Sequence, residues 1–155
     1  MGVDKSGVGK ALTPVRMTID GGRLRFFAKA IGETNPIYTD VEAARQAGHP
    51  DLPVPPSFLF GIEMETPEPF GWFRDFGVEL RHVLHGEESF TYHSVAHAGD
   101  TLVAAPRIAD IYDRKGSALS FIVKETEITR EDGSPVADLR NIIVVRNMSD
   151  SETDQ

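Results

Sequence analysis

The hydrophobic pattern has two different periods along the chain. Before residue 77 the apolar positions recur at helical spacing, interrupted by a cluster of prolines. From Gly77 onward they alternate with polar residues or form short apolar runs, which is typical of strands. Helices followed by a series of strands predict an α+β architecture, with a helix laid across one sheet.

Three helices are predicted in the first half. Asp20 is suited to cap the first helix, whose apolar face we expect to be buried, and Gly32 is suited to end it. Asp40 caps a second, short helix that Gly48 ends, and a turn lies between the two. Pro56 is suited to open a third, apolar helix, because the first helical position needs no N–H.

Five strands are predicted in the second half. They are separated by short segments that contain glycine or charged residues, HGEE, HAGD, DRKGS and REDGS. Connections this short join neighbouring strands as hairpins, so we expect a largely antiparallel sheet. The predicted strands are residues 78–84, 89–96, 101–112, 118–128 and 136–145.

The length of 155 residues is typical of one domain. We expect residues 1–11, which are polar and rich in glycine, to form a flexible N-terminus. Residues 148–155 are polar and acidic and are predicted to form a C-terminal tail. The folded domain is therefore expected to span residues 12–147.

Composition excludes several classes of function. The chain has no cysteine, so it has no disulfide, no thiolate nucleophile and no cysteine-based metal site. A net charge of −8 without a basic stripe argues against nucleic acid as a partner. No apolar stretch approaches the roughly 20 residues of a membrane helix, and the N-terminus lacks the apolar run of a secretory signal. We therefore expect a cytoplasmic protein that does not bind membranes.

Three familiar site signatures fail in this sequence. The string SGVGKA departs from a phosphate-binding loop, because Asp4 replaces its first glycine and no Ser or Thr follows Lys10. No G-x-S-x-G nucleophile elbow is present. His93 and His97 would share one face of a strand, but no H-E-x-x-H motif accompanies them, so we predict no metal site. The histidines are expected at the surface or in hairpins.

One motif carries chemical information. Residues 30–40 read AIGETNPIYTD, and Ala43 and Ala44 follow shortly after. This segment resembles the hydratase motif of the MaoC-like dehydratases, which reads approximately G-D-x-N-P-[LIV]-H-x-D. The later segments PPSF, HGEESFTYH and AGD resemble the N-terminal-type (FAS1-like) dehydratase domain of the same family. The resemblance extends over residues 12–146.

The resemblance implies a hot-dog fold, in which a roughly five-stranded antiparallel sheet wraps a long central helix. It implies a homodimer, or a heterodimer with another MaoC-like domain, with acyl tunnels near the interface. The implied reaction is the reversible addition of water to a 2-enoyl thioester of CoA or of acyl carrier protein, which gives a 3-hydroxyacyl thioester. The implied chemistry uses side chains and backbone donors and no cofactor.

Glu33 and Tyr38 occupy the positions of the family's aspartate and histidine, which handle water and protons, and are the candidate catalytic residues. Glutamate keeps the carboxylate but moves it by one methylene. A free phenol titrates near ~10 against ~6.5 for imidazole, so Tyr38 is a poor base at neutral pH, although it can donate a hydrogen bond. The alternative interpretation is that both are turn and packing residues of a degenerate motif.

Four residues are candidates for substrate binding. Asn35 precedes a proline and is suited to shape a rigid turn, whether or not it contacts a ligand. Ser57 and Phe58 lie where the third helix should begin, where unpaired N–H groups can polarise a thioester oxygen. His85 lies at the end of the first predicted strand and is a candidate substitute acid–base group.

Three functions remain open at this point. The first is an (R)-specific 3-hydroxyacyl-thioester dehydratase, equivalently a 2-enoyl-CoA hydratase, or a subunit of one. The second is a non-catalytic acyl-binding subunit whose partner supplies an intact Asp and His. The third is a hot-dog thioesterase, which the Asn-Pro motif argues against.

Overall fold

The computed structural model describes residues 2–114, 116 and 118–147 of the chain. Two α-helices lie in the first half, α1 at Gly21–Ala30 and α2 at Val41–Gln46. Their N-terminal caps are the predicted ones, since Asp20 Oδ1 accepts a hydrogen bond from Arg23 N–H at 3.0 Å and Asp40 caps α2 in the same way. Within the described ranges, no helix combines the length and the apolar character that a membrane span requires.

The predicted burial of the apolar face of α1 is correct only in part. Leu24 and Ala28 are fully buried, and Phe27 packs against the same core. Phe26, by contrast, is 76% exposed, because it points away from the sheet on the opposite side of the helix.

The third helix differs in geometry from the prediction. Residues Pro56–Met64 form a nine-residue 3₁₀ helix, called the crossing helix below. Pro56 occupies its first turn, as predicted, and Gly61 lies near its middle. Two further 3₁₀ helices, Gly71–Phe76 and Leu80–His82, lead into the sheet.

Five antiparallel strands form one sheet, in the order β1-β3-β4-β5-β2. The predicted pairing of β3 with β4 and of β4 with β5 is confirmed. Among the described residues β1 pairs only with β3 and β2 only with β5, so these two strands are the edges of the sheet. The strands are β1 Val15–Thr18, β2 Val83–Tyr92, β3 Thr101–Arg114, β4 Leu119–Arg130 and β5 Pro135–Arg146.

The first two predicted strands are wrong in their boundaries. HGEE is not a hairpin turn but lies inside β2, and residues 78–82 precede that strand. HAGD joins β2 to β3, which are not neighbours in the sheet, so it is not a hairpin either. Strand β1 was not predicted, although Val15 and Met17 alternate with exposed residues.

Gly86 explains why β2 continues through a glycine-containing segment. The register between β2 and β5 shifts between His85 and Glu87, which is a β-bulge. A Cβ atom at Gly86 would lie 2.7 Å from the carbonyl oxygen of Ile142 and 2.9 Å from a methyl of Val144. The glycine therefore permits the close approach of two strands and does not mark a turn.

Two apolar clusters cover one face of the sheet. The first joins α1 and the crossing helix to the sheet, for example through Leu59 and Ile128. The second joins the 3₁₀ helix Gly71–Phe76 to the sheet, for example through Phe73 and Ile122. Between the clusters runs a row of polar side chains, called the polar row below, which crosses three neighbouring strands at Lys124, Asn141 and Glu88.

The segment before residue 12 packs against the sheet. Val3 is 6% exposed and belongs to the second apolar cluster, and Gly9 N–H donates to the carbonyl of Ile108 at 2.8 Å. The flexibility of this segment and the domain boundary at residue 12 stay predictions. The predicted acidic tail at 148–155 lies outside the described residues.

Candidate active site

A pocket of about 290 Å³, called the Tyr38 pocket below, opens beside the crossing helix and the end of β2. Its wall is mostly apolar, with a few polar side chains, which is the composition expected of a site for an apolar ligand with one polar group. The polar lining residues are Tyr38, His49, Tyr92, His93 and Ser94, and the apolar ones include Ile37, Val54, Leu59, Val95 and Val136.

The hydratase-like motif forms a hydrogen-bonded turn. Glu33 Oε1 accepts a hydrogen bond from Asn35 N–H at 2.8 Å, and Asn35 Oδ1 accepts one from Ile37 N–H at 3.2 Å. Both polar side chains are exposed, whereas Tyr38 is half-buried and lines the pocket. The structure thus places Tyr38 at the pocket and uses the Glu33 carboxylate, outside its lining, to shape the turn.

The start of the crossing helix offers fewer free donors than predicted. Phe58 N–H donates to the carbonyl of Pro55 at 3.0 Å, so the prediction of an unpaired amide at Phe58 is wrong. The Phe58 ring is 8% exposed and packs edge-on against Phe27 at 5.4 Å, within the core. Ser57 is exposed and follows Pro56, which lines the pocket. In the described part of the chain its N–H has no hydrogen-bond acceptor.

His85 lies outside the Tyr38 pocket, at the exposed end of the polar row. Its ring lies edge-on to Phe60 at 5.7 Å, and its Nδ1 is 3.5 Å from Asn141 Nδ2. Asn141 Nδ2 also donates to Glu88 Oε2 at 2.5 Å. Burial raises the pKa of the Glu88 carboxyl, although the hydrogen bond from Asn141 and the nearby His85 and Lys124 act in the opposite direction.

Two histidines that no sequence pattern pairs are in direct contact. His49 Nδ1 and His97 Nε2 are 3.0 Å apart, and both rings are half-buried. Burial, and next the neighbouring His49, lower the pKa of His97, whereas Asp100 and Asp51 raise it. The neutral form of His97 is therefore favoured. Its partner His49 lines the Tyr38 pocket.

A second histidine in the pocket wall has a carboxylate partner. His93 Nε2 is 2.7 Å from Asp138 Oδ2, and both side chains are substantially exposed. Beside it, burial raises the pKa of the Tyr92 phenol, so this hydroxyl stays protonated over the neutral range. The expected surface position holds for His93 but not for His97, which is half-buried.

Sequence reasoning missed the contact between His49 and His97 for a clear reason. The two residues are 48 positions apart, and no local pattern links them. An isolated β-bridge between Pro53 and His97 brings their segments together, and such a pairing has no signature in the sequence.

Comparison with known proteins agrees with the fold and the motif. A family model described as "FAS1-like, dehydratase domain region" matches residues 6–139. A UPF0336 protein of Saccharopolyspora erythraea is 30% identical over 151 residues, which cover 97% of this chain and 96% of the relative.

Two solved structures have a similar fold at low sequence identity. A chain of the HadBC (3R-hydroxyacyl-ACP dehydratase) complex from Mycobacterium tuberculosis has a TM-score of 0.76 and 22% identity, covering 93% of this chain and 99% of that one. The (R)-hydratase from A. caviae involved in PHA biosynthesis has a TM-score of 0.63 and 15% identity, covering 88% and 94%. With its family match and its sheet topology, this chain belongs to the FAS1-like dehydratase domains of the MaoC-like dehydratase family and has their hot-dog fold.

Proposed function

We propose that this chain binds an acyl thioester of CoA or of acyl carrier protein in the Tyr38 pocket. We propose further that it serves there in the (R)-specific interconversion of 2-enoyl and 3-hydroxyacyl thioesters. The observation that carries this proposal is the position of Tyr38, from the hydratase-like motif, in the wall of a mostly apolar pocket. Pro56, the first residue of the crossing helix, lines this pocket, and the exposed Ser57 follows it. The neighbouring folds named above are those of an (R)-hydratase and a 3R-hydroxyacyl-ACP dehydratase.

The reaction makes three physical demands. A base takes a proton from the water that attacks C3, an acid delivers a proton to C2, and donors stabilise the negative charge on the thioester oxygen. Ser57 N–H is suited to be such a donor, and the Tyr38 hydroxyl is suited to donate a second hydrogen bond to the substrate. Phe58 supplies no such donor, since its N–H is already paired and its ring is buried in the core.

The roles of the other motif residues follow from their bonds. Asn35 holds the turn that presents Tyr38, and Glu33 fixes the turn from the outside. The Glu33 carboxylate accepts a backbone N–H at 2.8 Å and lies outside the pocket lining, so it is not placed to take a proton from substrate water. We therefore expect slow hydration by this chain alone.

The same observation supports a second candidate function. A Glu33 that shapes a turn, with a phenol in place of the imidazole, suits an acyl-binding subunit whose partner supplies the catalytic Asp and His. Both candidate functions use the same pocket and the same ligand class, and they differ in whether this chain turns over a 2-enoyl thioester by itself.

We propose that the chain works as a homodimer, or as a heterodimer with a second hot-dog domain, joined through the edge strand β2. This strand has ten residues and, within the part of the chain that the structure describes, pairs only with β5, so one row of its backbone groups is open. Leu84 and Tyr92 on this strand and Phe60 beside it are 46%, 48% and 37% exposed. A long edge strand with exposed apolar side chains suits pairing with another sheet, and His85 would lie at that interface.

The binding proposal is tested by titration calorimetry with octanoyl-CoA and with free CoA. We expect tighter binding of octanoyl-CoA, because each buried methylene contributes about 0.8 kcal/mol. Val95→Glu puts a charge into the pocket wall at a half-exposed position and should weaken the binding of octanoyl-CoA. Val8→Glu is the matched control, at a similarly exposed valine outside this pocket. Equal affinity of wild type for octanoyl-CoA and CoA would contradict the proposal.

A further inference from the structure

We propose that His49 is the acid–base residue of the Tyr38 pocket, and that His97 is the residue that positions it. This inference rests on the proposed function, since it names the group that moves the proton during hydration of a 2-enoyl thioester. It assigns to His49 the role that the phenol at position 38 is poorly suited to fill, and it places the imidazole on a different segment of the chain.

Backbone hydrogen bonds hold the two chain segments that carry these rings. His49 follows Gly48, whose φ of 94° turns the chain at the end of α2, and His49 N–H donates to the carbonyl of Ala44 at 3.0 Å. On the other side, His97 N–H donates to Asp100 Oδ2 at 3.0 Å, and Pro53 forms a β-bridge with His97. The two imidazoles are therefore held from separate elements that meet at the pocket.

The hydrogen bond between the rings leaves one nitrogen of His49 for a ligand. Nδ1 of His49 is engaged with Nε2 of His97, so Nε2 is the His49 nitrogen left for a ligand, and no described residue is its partner. The assignment requires neutral His97 to keep its own proton on Nδ1 and to accept a hydrogen bond from His49 Nδ1–H. His49 Nε2 then carries the lone pair, which is the state a general base needs.

Several charged groups affect the protonation of His97. Burial favours neutral His97, and Arg130, which donates to Asp100 at 3.2 Å, acts in the same direction. Asp100 and Asp51 favour the protonated ring. The lowered pKa of His97 is the balance of these effects, and it favours the neutral ring, which has one nitrogen able to accept a hydrogen bond.

The step balances without a cofactor. His49 Nε2 takes one proton from water while the water oxygen forms a bond to C3 of the enoyl thioester, and the π electrons move towards the thioester oxygen. The resulting imidazolium returns the same proton to C2, which restores neutral His49 and gives the 3-hydroxyacyl thioester. His49 Nδ1–H stays bonded to His97 throughout, so the positive charge forms beside a neutral acceptor.

The other polar residues of the wall fit this role less well. Tyr38 has a phenol, a weak base at neutral pH. His93 has Nε2 engaged with Asp138, and the pair is substantially exposed, so water competes for its remaining nitrogen. His93 is nevertheless the nearest alternative base, and the experiment below distinguishes it from His49.

The test is the hydration of crotonyl-CoA by the full chain, followed by the loss of enoyl absorbance across a range of pH. We expect His49→Gln to lower the rate by roughly 10²- to 10⁴-fold, the usual loss for a placed general acid–base group. His97→Asn should retain part of the rate but shift the low-pH limb of the profile, because His49 loses its partner. His82→Gln, a half-buried histidine outside the pocket, is the control and should match wild type. Circular dichroism and octanoyl-CoA binding report whether each variant is folded with an intact pocket.

Each outcome decides a separate question. A large loss in His93→Asn with little change in His49→Gln would overturn the assignment and make His93 the base. A wild-type chain that binds octanoyl-CoA but never hydrates crotonyl-CoA would also overturn it, while leaving the acyl-binding function intact. A chain that binds no acyl-CoA would instead remove the proposed function itself. A rate lost in His49→Gln with binding retained supports the assignment.

Discussion

Glu63 and Lys124 form a buried ion pair between the crossing helix and β4, at the boundary of the two apolar clusters. Their side chains are only 13% and 10% exposed. Glu63 also accepts a hydrogen bond from Thr126 Oγ1 at 2.5 Å, and the Trp72 ring lies 5.9 Å from the Lys124 ammonium. The charges are thus compensated from several sides, as buried charges must be.

Lys124→Met should destabilise the protein by about 3–5 kcal/mol, because it leaves the Glu63 carboxylate buried without its partner. The double variant Glu63→Met with Lys124→Met should recover most of this loss, since neither charge then remains buried. Urea denaturation measures both changes. Arg74→Met removes one partner of the exposed Arg74–Glu68 pair and should cost no more than about 1 kcal/mol. Equal losses in Lys124→Met and Arg74→Met would contradict the buried pairing.

Gly86→Ala should destabilise the protein by about 1–3 kcal/mol, because the new Cβ would overlap the Ile142 carbonyl across the β2–β5 pair. Gly61→Ala is the matched control, since a Cβ there meets nothing within 4 Å and alanine favours a helix. Thermal melts of both variants measure the difference. If Gly86→Ala were as stable as wild type, the close strand approach at the bulge would be wrong.

Glu88→Gln should change the dependence of stability on pH. The pKa of Glu88 is raised by burial in the folded state, so its contribution to stability is fully present below the unfolded pKa of about 4.3 and is lost as pH rises through the raised value. The variant should therefore match wild type at low pH and exceed it at neutral pH. Urea midpoints across this range test the sign, with Glu87→Gln as a control for removing one exposed charge from the same strand.

Glu33→Asp together with Tyr38→His restores the family pattern and should raise the rate of crotonyl-CoA hydration above wild type. The single changes should do less, because groups that act as a unit are not additive. Circular dichroism checks the fold of all three variants. A double variant that is folded and binds octanoyl-CoA, yet is no faster than wild type, would show that an Asp and a His at these two positions do not supply the missing catalytic pair.

Leu84→Lys should shift the chain from dimer towards monomer, because it places a charge on the exposed apolar edge of β2. Val8→Lys replaces an equally exposed valine away from this strand and should leave the assembly unchanged. Light scattering across the micromolar range measures the mass of each. A monomeric wild type would remove the proposed assembly.

Local signals in the sequence were sufficient for several elements. Asp20 and Asp40 cap their helices as predicted, because a side chain that accepts a nearby N–H acts within a few residues of itself. The three long strands β3, β4 and β5 were also found, since alternation over many residues is a strong signal. The turn at residues 33–38 was recognised from its motif, and its bonds are local as well.

The sequence by itself thus determined the caps, the long strands, the motif turn and the family, because each of these depends on residues that are close together in the chain. Only the tertiary structure decided that HGEE continues a strand, because the close approach of Gly86 to Ile142 depends on which strand lies beside it. It also decided that His49 meets His97 and that Glu63 meets Lys124. Such contacts join positions far apart in the chain, and burial changes the pKa and the interaction strength of the groups in them. No local pattern of residues can therefore specify them.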